Sequence, residues 1–148
     1  MIWLLLVCLT ATLYMVGLIW FVQIVHYPLF ALVGRESFLV YHAAHSTRVS
    51  LVVIGPMLVE LGSSLALALA PPQGVPVWLA WLGAVLVLAI WALTFLVQSP
   101  QHGAMAGGYS PQLIQALVAN NWWRTLAWTL HGGVVMWMVV AAWQARIA

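Results

Sequence analysis

Four long apolar runs, at about residues 2–25, 46–70, 77–97 and 123–143, leave this chain one kind of place to fold. Each approaches or exceeds the roughly 20 residues that cross a ~30 Å hydrocarbon core. Inside such a core every backbone N–H and C=O must be paired within its own segment, so each run is expected to be an α-helix. Composition agrees, because only four Lys/Arg and two Asp/Glu are available to cover 148 residues, 66% of them hydrophobic. A soluble domain uses about 25% charged residues for its surface. The expected fold is all-α, a four-helix transmembrane bundle forming one integral membrane domain over 1–148. A net charge of +2 drawn from so few groups makes no basic patch, which excludes nucleic acid as a partner. The lipid bilayer and a lipophilic small molecule are the partners expected instead.

The connections carry more information than the spans. Span one closes with Gln23 and His26, spaced i, i+3 on one face, and Pro28 is expected to stop it. Gly34, Arg35 and Glu36 read as a break, after which Ser37 caps a helix from about Phe38 to Ala70 whose first turns project from the hydrocarbon. Pro56 lies inside that helix and predicts a kink. The connection 99–121 contains His102 beside Pro100, a Gly-rich stretch, and an amphipathic run, Gln112 to Ala119. That run predicts a short helix lying on the interface, so short interfacial helices are expected in the first and third connections. Cys8 is the lone cysteine and can form no internal disulfide. The N-terminus lacks a basic leader region and reads as a retained span.

Ionisable groups gather on one side. Four spans place the 26–48 and 99–124 connections together, bringing His26, His42, His45 and His102 to that face with Arg35, Arg48 and Arg124. Only Arg146 marks the other side, so the positive-inside rule puts the histidine face in the cytoplasm. His42 and Glu60 are 60 − 42 = 18 residues apart, five whole turns, and His45 lies near the same stripe. Glu60 falls about 18 Å beyond Arg48, and His131 lies about 12 Å inside Trp123, so a packed bundle can bring those two together. A carboxylate at such depth needs a partner.

Three chemistries fit that pattern. Imidazole with carboxylate suits a transition metal (iron, copper or zinc), with His42, His45, His131 and Glu60 as leading ligands and His26 next. His102, in a connection expected to be mobile, would contribute much less. Haem held by two histidines and lined by some of the ten tryptophans is the alternative cofactor. A proton-coupled carrier or non-catalytic subunit using Glu60 is the alternative from another class. Arg48 and Arg124 are expected to orient an anionic or carbonyl-bearing substrate, or to pair with Glu36. Gly62, Ser63 and Ser64 in span two, with Gly132 and Gly133 in span four, permit close helix approach and a homo-oligomer.

Several motifs carry a resemblance. They are the His26-Tyr27-Pro28 end of span one and the YHxxHxxR entrance to span two (Tyr41, His42, His45, Arg48). Pro56 and Glu60 follow within that span, and Asn120 to Thr125 with Trp128 lead into span four. Together they resemble small bacterial four-helix membrane proteins that are loosely similar to the anthrone-oxygenase-like family. The resemblance implies oxidation of a lipophilic compound by a bacterial cytoplasmic membrane protein, and together with the metal reading of the histidines the expectation is a metal-dependent oxidoreductase or oxygenase. It carries over to His42, His45 and Arg48 in span two and to Asn121, Arg124 and Trp128 in span four.

Overall fold

The computed structural model describes residues 1–147. Helix α1, Ile2–Phe21, runs into one π-helical turn, Val22–His26, and a 3-10 helix, Pro28–Leu32. Helix α2 is unbroken from Arg35 to Leu69. Helix α3, Val77–Leu93, continues through a second π-helical turn, Thr94–Gln98, into the short α4, Ser99–Met105. Helix α5 spans Pro111–Ile147. Four stretches, Ile2–Leu32, Arg35–Leu69, Val77–Met105 and Pro111–Ile147, are each long and apolar enough to cross a bilayer. The chain is an all-α four-helix bundle and an integral membrane protein, with no strand among the described residues.

Prolines stand where helices start. Pro28, Pro76, Pro100 and Pro111 each lie at or beside a first turn, where a missing N–H costs no intrahelical bond. Pro56 is the exception, inside α2, and the helix continues through it. The hollow beside it, about 540 Å³ and lined by Trp3, Leu6 and Val59, faces outward between α1 and α2 and does not include Glu60. The 70–76 turn depends on Gly74, whose φ of +83° suits glycine. A Cβ there would also collide with the Ala141 carbonyl and Ala145, so the turn docks directly on the end of α5.

Length decides where the site can lie. With 35 and 37 residues, α2 and α5 extend about 52 and 55 Å, well beyond a ~30 Å core. The 70–76 turn is short, so the surplus projects at the histidine end. There it joins the 3-10 helix and α4 in a cap packed on Phe30, Phe38, Met105, Ile114 and Leu117, all buried. Between lipid-bathed helices apolar side chains gain little by meeting each other, and close packing and polar contacts hold them instead. In the cap, water lies outside, and burying a phenylalanine contributes roughly 1.5–3 kcal/mol.

Two expectations about the third connection change. Residues 112–119 are the opening turns of α5, in phase with the span, because Asn120 and Asn121 do not break the helix and Asn121 is itself buried and hydrogen-bonded. Residues 99–105 are helical, since Pro100 occupies a first turn where proline is tolerated. The short helices of the first and third connections are thus Pro28–Leu32 and Ser99–Met105.

Small residues work within the bundle. A Cβ on Gly132 would lie 3.2 Å from Val16 Cγ2, so this glycine sets the approach of α1 to α5. Ser63 and Ser64 are buried, whereas Gly62 and Gly133 have nothing within 4 Å. Gly132→Leu should therefore lower stability by about 1–3 kcal/mol through overpacking, and Gly133→Leu should lower it by no more than about 0.5 kcal/mol. Thermal unfolding in one detergent compares them. Equal losses would remove the close α1–α5 contact from this description.

Candidate functional site

The histidines meet through elements far apart in sequence. His26 ends the first π-helical turn, His42 and His45 share one side of α2, and His102 lies on α4. His26 Nε2 and His45 Nδ1 are 2.7 Å apart, and His42 Nε2 and His102 Nδ1 are 3.1 Å apart. The His45 and His102 rings stack at 5.4 Å, joining the two pairs into one cluster. Tyr27 closes it, with its hydroxyl 3.0 Å from His102 Nε2. If Tyr27 donates there, His102 carries its proton on Nδ1 and donates it to His42 Nε2. His45 Nε2 is buried without a hydrogen-bond partner among the described residues.

Aromatic walls fix these rings. Phe30 of the 3-10 helix lies edge-on to His45 at 4.9 Å and to His26 at 5.4 Å. Phe38, one turn before His42, stacks on it at 5.8 Å. Because Phe30 is fully buried in the cap, the cap's packing and the orientation of the histidines are one problem.

Beside the cluster is a cavity of about 230 Å³ enclosed by α1, α2, the second π-helical turn with the start of α4, and α5. Met15, Ile19 and Val53 make its apolar body, and His102, Gln98 and Arg124 its polar end. π-Helical turns recur at functional sites because the extra residue re-aims side chains. Here one carries Gln23 and His26, and the other Thr94 and Gln98. Gln98 is 2% exposed, yet neither its amide nitrogen nor its oxygen has a hydrogen-bond partner among the described residues.

Arg124 is 7% exposed and is positioned by a chain of contacts. The Gln23 amide donates to the Val118 carbonyl at 3.1 Å, and Asn121 Nδ2 donates to Gln23 Oε1 at 2.9 Å. Arg124 in turn donates to Asn121 Oδ1 at 3.2 Å, and its guanidinium lies 5.1 Å over the Trp128 ring. The Arg124 Nε has no partner among the described residues.

A second polar centre lies deeper. Trp128 Nε1 donates to Glu60 Oε2 at 2.9 Å, and His131 Nε2 is 3.6 Å from Glu60 Oε1. His131 Nε2 also lies 3.3 Å from Ser64 Oγ, which contacts Cys8 Sγ at 3.4 Å. Glu60, Trp128 and His131 are fully buried, and the hollow at His131 has no room for water.

The expected five-residue ligand set is therefore divided. His26, His42 and His45 belong to the cluster, and Glu60 and His131 to the deeper centre. Glu60 is 15 residues beyond His45 on one helix, about 22 Å along its axis, so the two groups cannot share an ion. His102, expected to stand apart, bonds to His42 because α4 continues the third span and carries it there. Of Arg124, Asn121 and Trp128, Arg124 lines the cavity, with Asn121 holding it and Trp128 beneath it. Arg48 is exposed and lines a neighbouring hollow with His26 and His45. Neither arginine pairs with Glu36, since Glu60–His131 is the only acid–base pair within 4 Å among the described residues. The sequence reading missed Tyr27 and Gln98 as site residues. Gln98 carried a signal, being with Thr94 a polar side chain at the end of an otherwise apolar span.

Trp128→Phe keeps an aromatic face under Arg124 and removes the donor to Glu60. It should cost about 1–3 kcal/mol, the range for stranding a buried acceptor. Combining it with Glu60→Leu should cost less than the sum of the separate losses, as thermal unfolding in detergent would read. Strict additivity would mean that the indole–carboxylate bond is not made.

Compared with family models, curated proteins and solved structures, the chain matches none.

Proposed function

We propose that this chain is a membrane oxidoreductase of the bacterial cytoplasmic membrane, acting on a lipophilic compound at the histidine cluster. In this reading His26, His42, His45 and His102 hold a transition metal, and the cavity beside His102 holds the substrate. The observation that carries it is the meeting of four histidines from three helical segments, one of which, His102, lines a cavity with an apolar body and a cationic end.

The cluster's chemistry suits such an ion. Imidazole nitrogen is a good ligand for zinc, copper and iron. Two imidazoles on one tetrahedral ion at ~2.05 Å have nitrogens about 3.3 Å apart. The paired nitrogens lie at 2.7 and 3.1 Å, close to that separation. Among the described residues no three histidine, cysteine or acidic side chains already surround a common point, so binding requires the two pairs to rotate onto one ion. Aromatic faces of Phe30 and Phe38 would keep water from the rings. Bound iron or copper would supply a one-electron couple with dioxygen as the electron acceptor, whereas zinc, having no redox couple, would only report that the site binds metal. Tyr27 would donate to His102 Nε2, the ring nitrogen left free when Nδ1 faces the ion, and so hold that ring in place.

Other readings find less support. No tryptophan lines the three hollows that touch the histidine cluster, so the pocket imagined for haem lacks the tryptophan walls expected of it. For a carrier, Glu60 is fully buried, and the hollow lined by its neighbour His131 has no room for water.

Metal content per protomer after loading with iron, copper or zinc and removal of free ion tests the proposal. Wild type should bind close to one ion. His26→Ala, His42→Ala, His45→Ala and His102→Ala should each lose most of it, while His131→Ala and Glu60→Gln should retain it. No metal in the wild type, or full occupancy in the four cluster variants, contradicts the reading.

A further inference from the structure

We propose that the cavity binds the anionic oxygen head, carboxylate or phenolate, of a small lipophilic molecule, through Arg124 and Gln98. The inference names the substrate class of the site proposed above, and rests on that proposal only for the claim that the bound molecule is a substrate.

Charge comes first. A guanidinium keeps its charge in proteins, and a charge enclosed by a bundle needs a counter-charge. The sequence has only two acids, Glu36 and Glu60. Glu60 accepts from Trp128 through one oxygen and has the other 3.6 Å from His131, and neither Glu60 nor Glu36 pairs with an arginine among the described residues. Arg124 has a neutral amide oxygen at 3.2 Å, the neutral Tyr27 hydroxyl beside it, an aromatic face at 5.1 Å and a buried Nε without a partner. Nothing in the described chain neutralises it.

Gln98 makes the site specific. Its side chain is buried on the same cavity wall, and both its amide atoms are without partners. A carboxylate would accept from the guanidinium and from the Gln98 amide N–H together, which are charge-assisted bonds of the strong kind. A phenolate would use the same two donors with a single oxygen. The rest of the cavity, with Met15, Ile19 and Val53, asks for hydrocarbon. At about 230 Å³ the space is below the ~300–1,000 Å³ of drug-sized pockets, so it fits a ring system or a short chain.

Depth agrees. About 20 residues of α5 counted back from Ile147 reach Ala127, and the same count along α2 from Leu69 reaches Ser50. Ser50 lines the cavity and Arg124 lies one turn beyond Ala127. Both counts put the cationic end at the boundary of hydrocarbon and head groups, where an amphiphile in the leaflet already keeps its polar end.

The test is binding to the full chain, metal-free, in a neutral maltoside detergent. Titration calorimetry and thermal shift would compare 1-naphthoate and decanoate with their methyl esters and with naphthylmethylammonium. At least one acid should saturate and raise the melting temperature, with ester and ammonium at least tenfold weaker. Preference for naphthoate assigns an aromatic acid, and preference for decanoate an aliphatic one. Arg124→Gln and Gln98→Leu should each weaken the acid at least tenfold. Should Arg124→Gln fail to fold, the acid–ester comparison on the wild type still decides. Esters binding as tightly as acids, or no saturable binding by any probe, overturns the inference. Acid binding in a protein that never takes metal would contradict only the oxidoreductase reading, and metal binding without acid binding only this one.

Discussion

The guanidinium of Arg124 lies over Trp128 while the indole N–H beneath it donates to Glu60, and most of the polar interior depends on this arrangement. An isolated charge in such surroundings would cost several kcal/mol. Asn121 and the ring share the guanidinium, and Gln23 on the π-helical turn that follows α1 fixes Asn121. The contacts run across helices, so they align α1 with α5 and α5 with α2. In lipid, where apolar contact between helices gains little over contact with tails, such bonds set the register. The same indole lies between the Arg124 guanidinium at the cavity and buried Glu60, whose other oxygen has no hydrogen-bond partner among the described residues.

This interior also divides the bundle along its length. At the end of the 70–76 turn, Leu5, Leu67, Leu79 and Met138 form a dry core. At the other end Phe30, Phe38 and Leu117 form a core that has water outside it and histidines against it. Burial there follows the rules of soluble proteins, which is why a compact cap can hold polar groups at the membrane face. The two π-helical turns lie at the junction of these regimes, where the extra residue in each turns Gln23 and Gln98 inward.

Much of this was legible in the sequence, for reasons that also show where reading stopped. The stripe from His42 to Glu60 does lie on one unbroken helix across Pro56, but that helix starts at Arg35, with Gly34 and not Ser37 at its N-cap, because Arg35 and Glu36 are compatible with a first turn. The approach of Glu60 to His131 followed from counting depth from Arg48 and Trp123. The division of the histidines did not, because a helical stripe records which residues share a face and says nothing of how far along it a neighbour's residue falls. His102 was misplaced for a local reason. Pro100 and the glycines after it read as a break, whereas proline in a first turn is compatible with α4 continuing the span. The π-helical turns have no signature in periodicity, so the inward Gln98 could be noted but not aimed. Gly132 and Gly133 look alike in sequence, and only the position of Val16 distinguishes them.

The account turns on four imidazoles meeting in two bonded pairs at one membrane face, and their nitrogens can be observed directly. Nitrogen–nitrogen correlation spectra of metal-free, ¹⁵N-histidine-labelled protein in bilayers report ring nitrogens within about 3 Å, the range of N–H···N hydrogen bonds. Two inter-residue correlations are expected, His26 with His45 and His42 with His102, and none involving His131. His45→Ala should remove the first and His102→Ala the second. Five isolated rings with no correlation between them, or a correlation linking His131 to His42 or His45, would contradict the account.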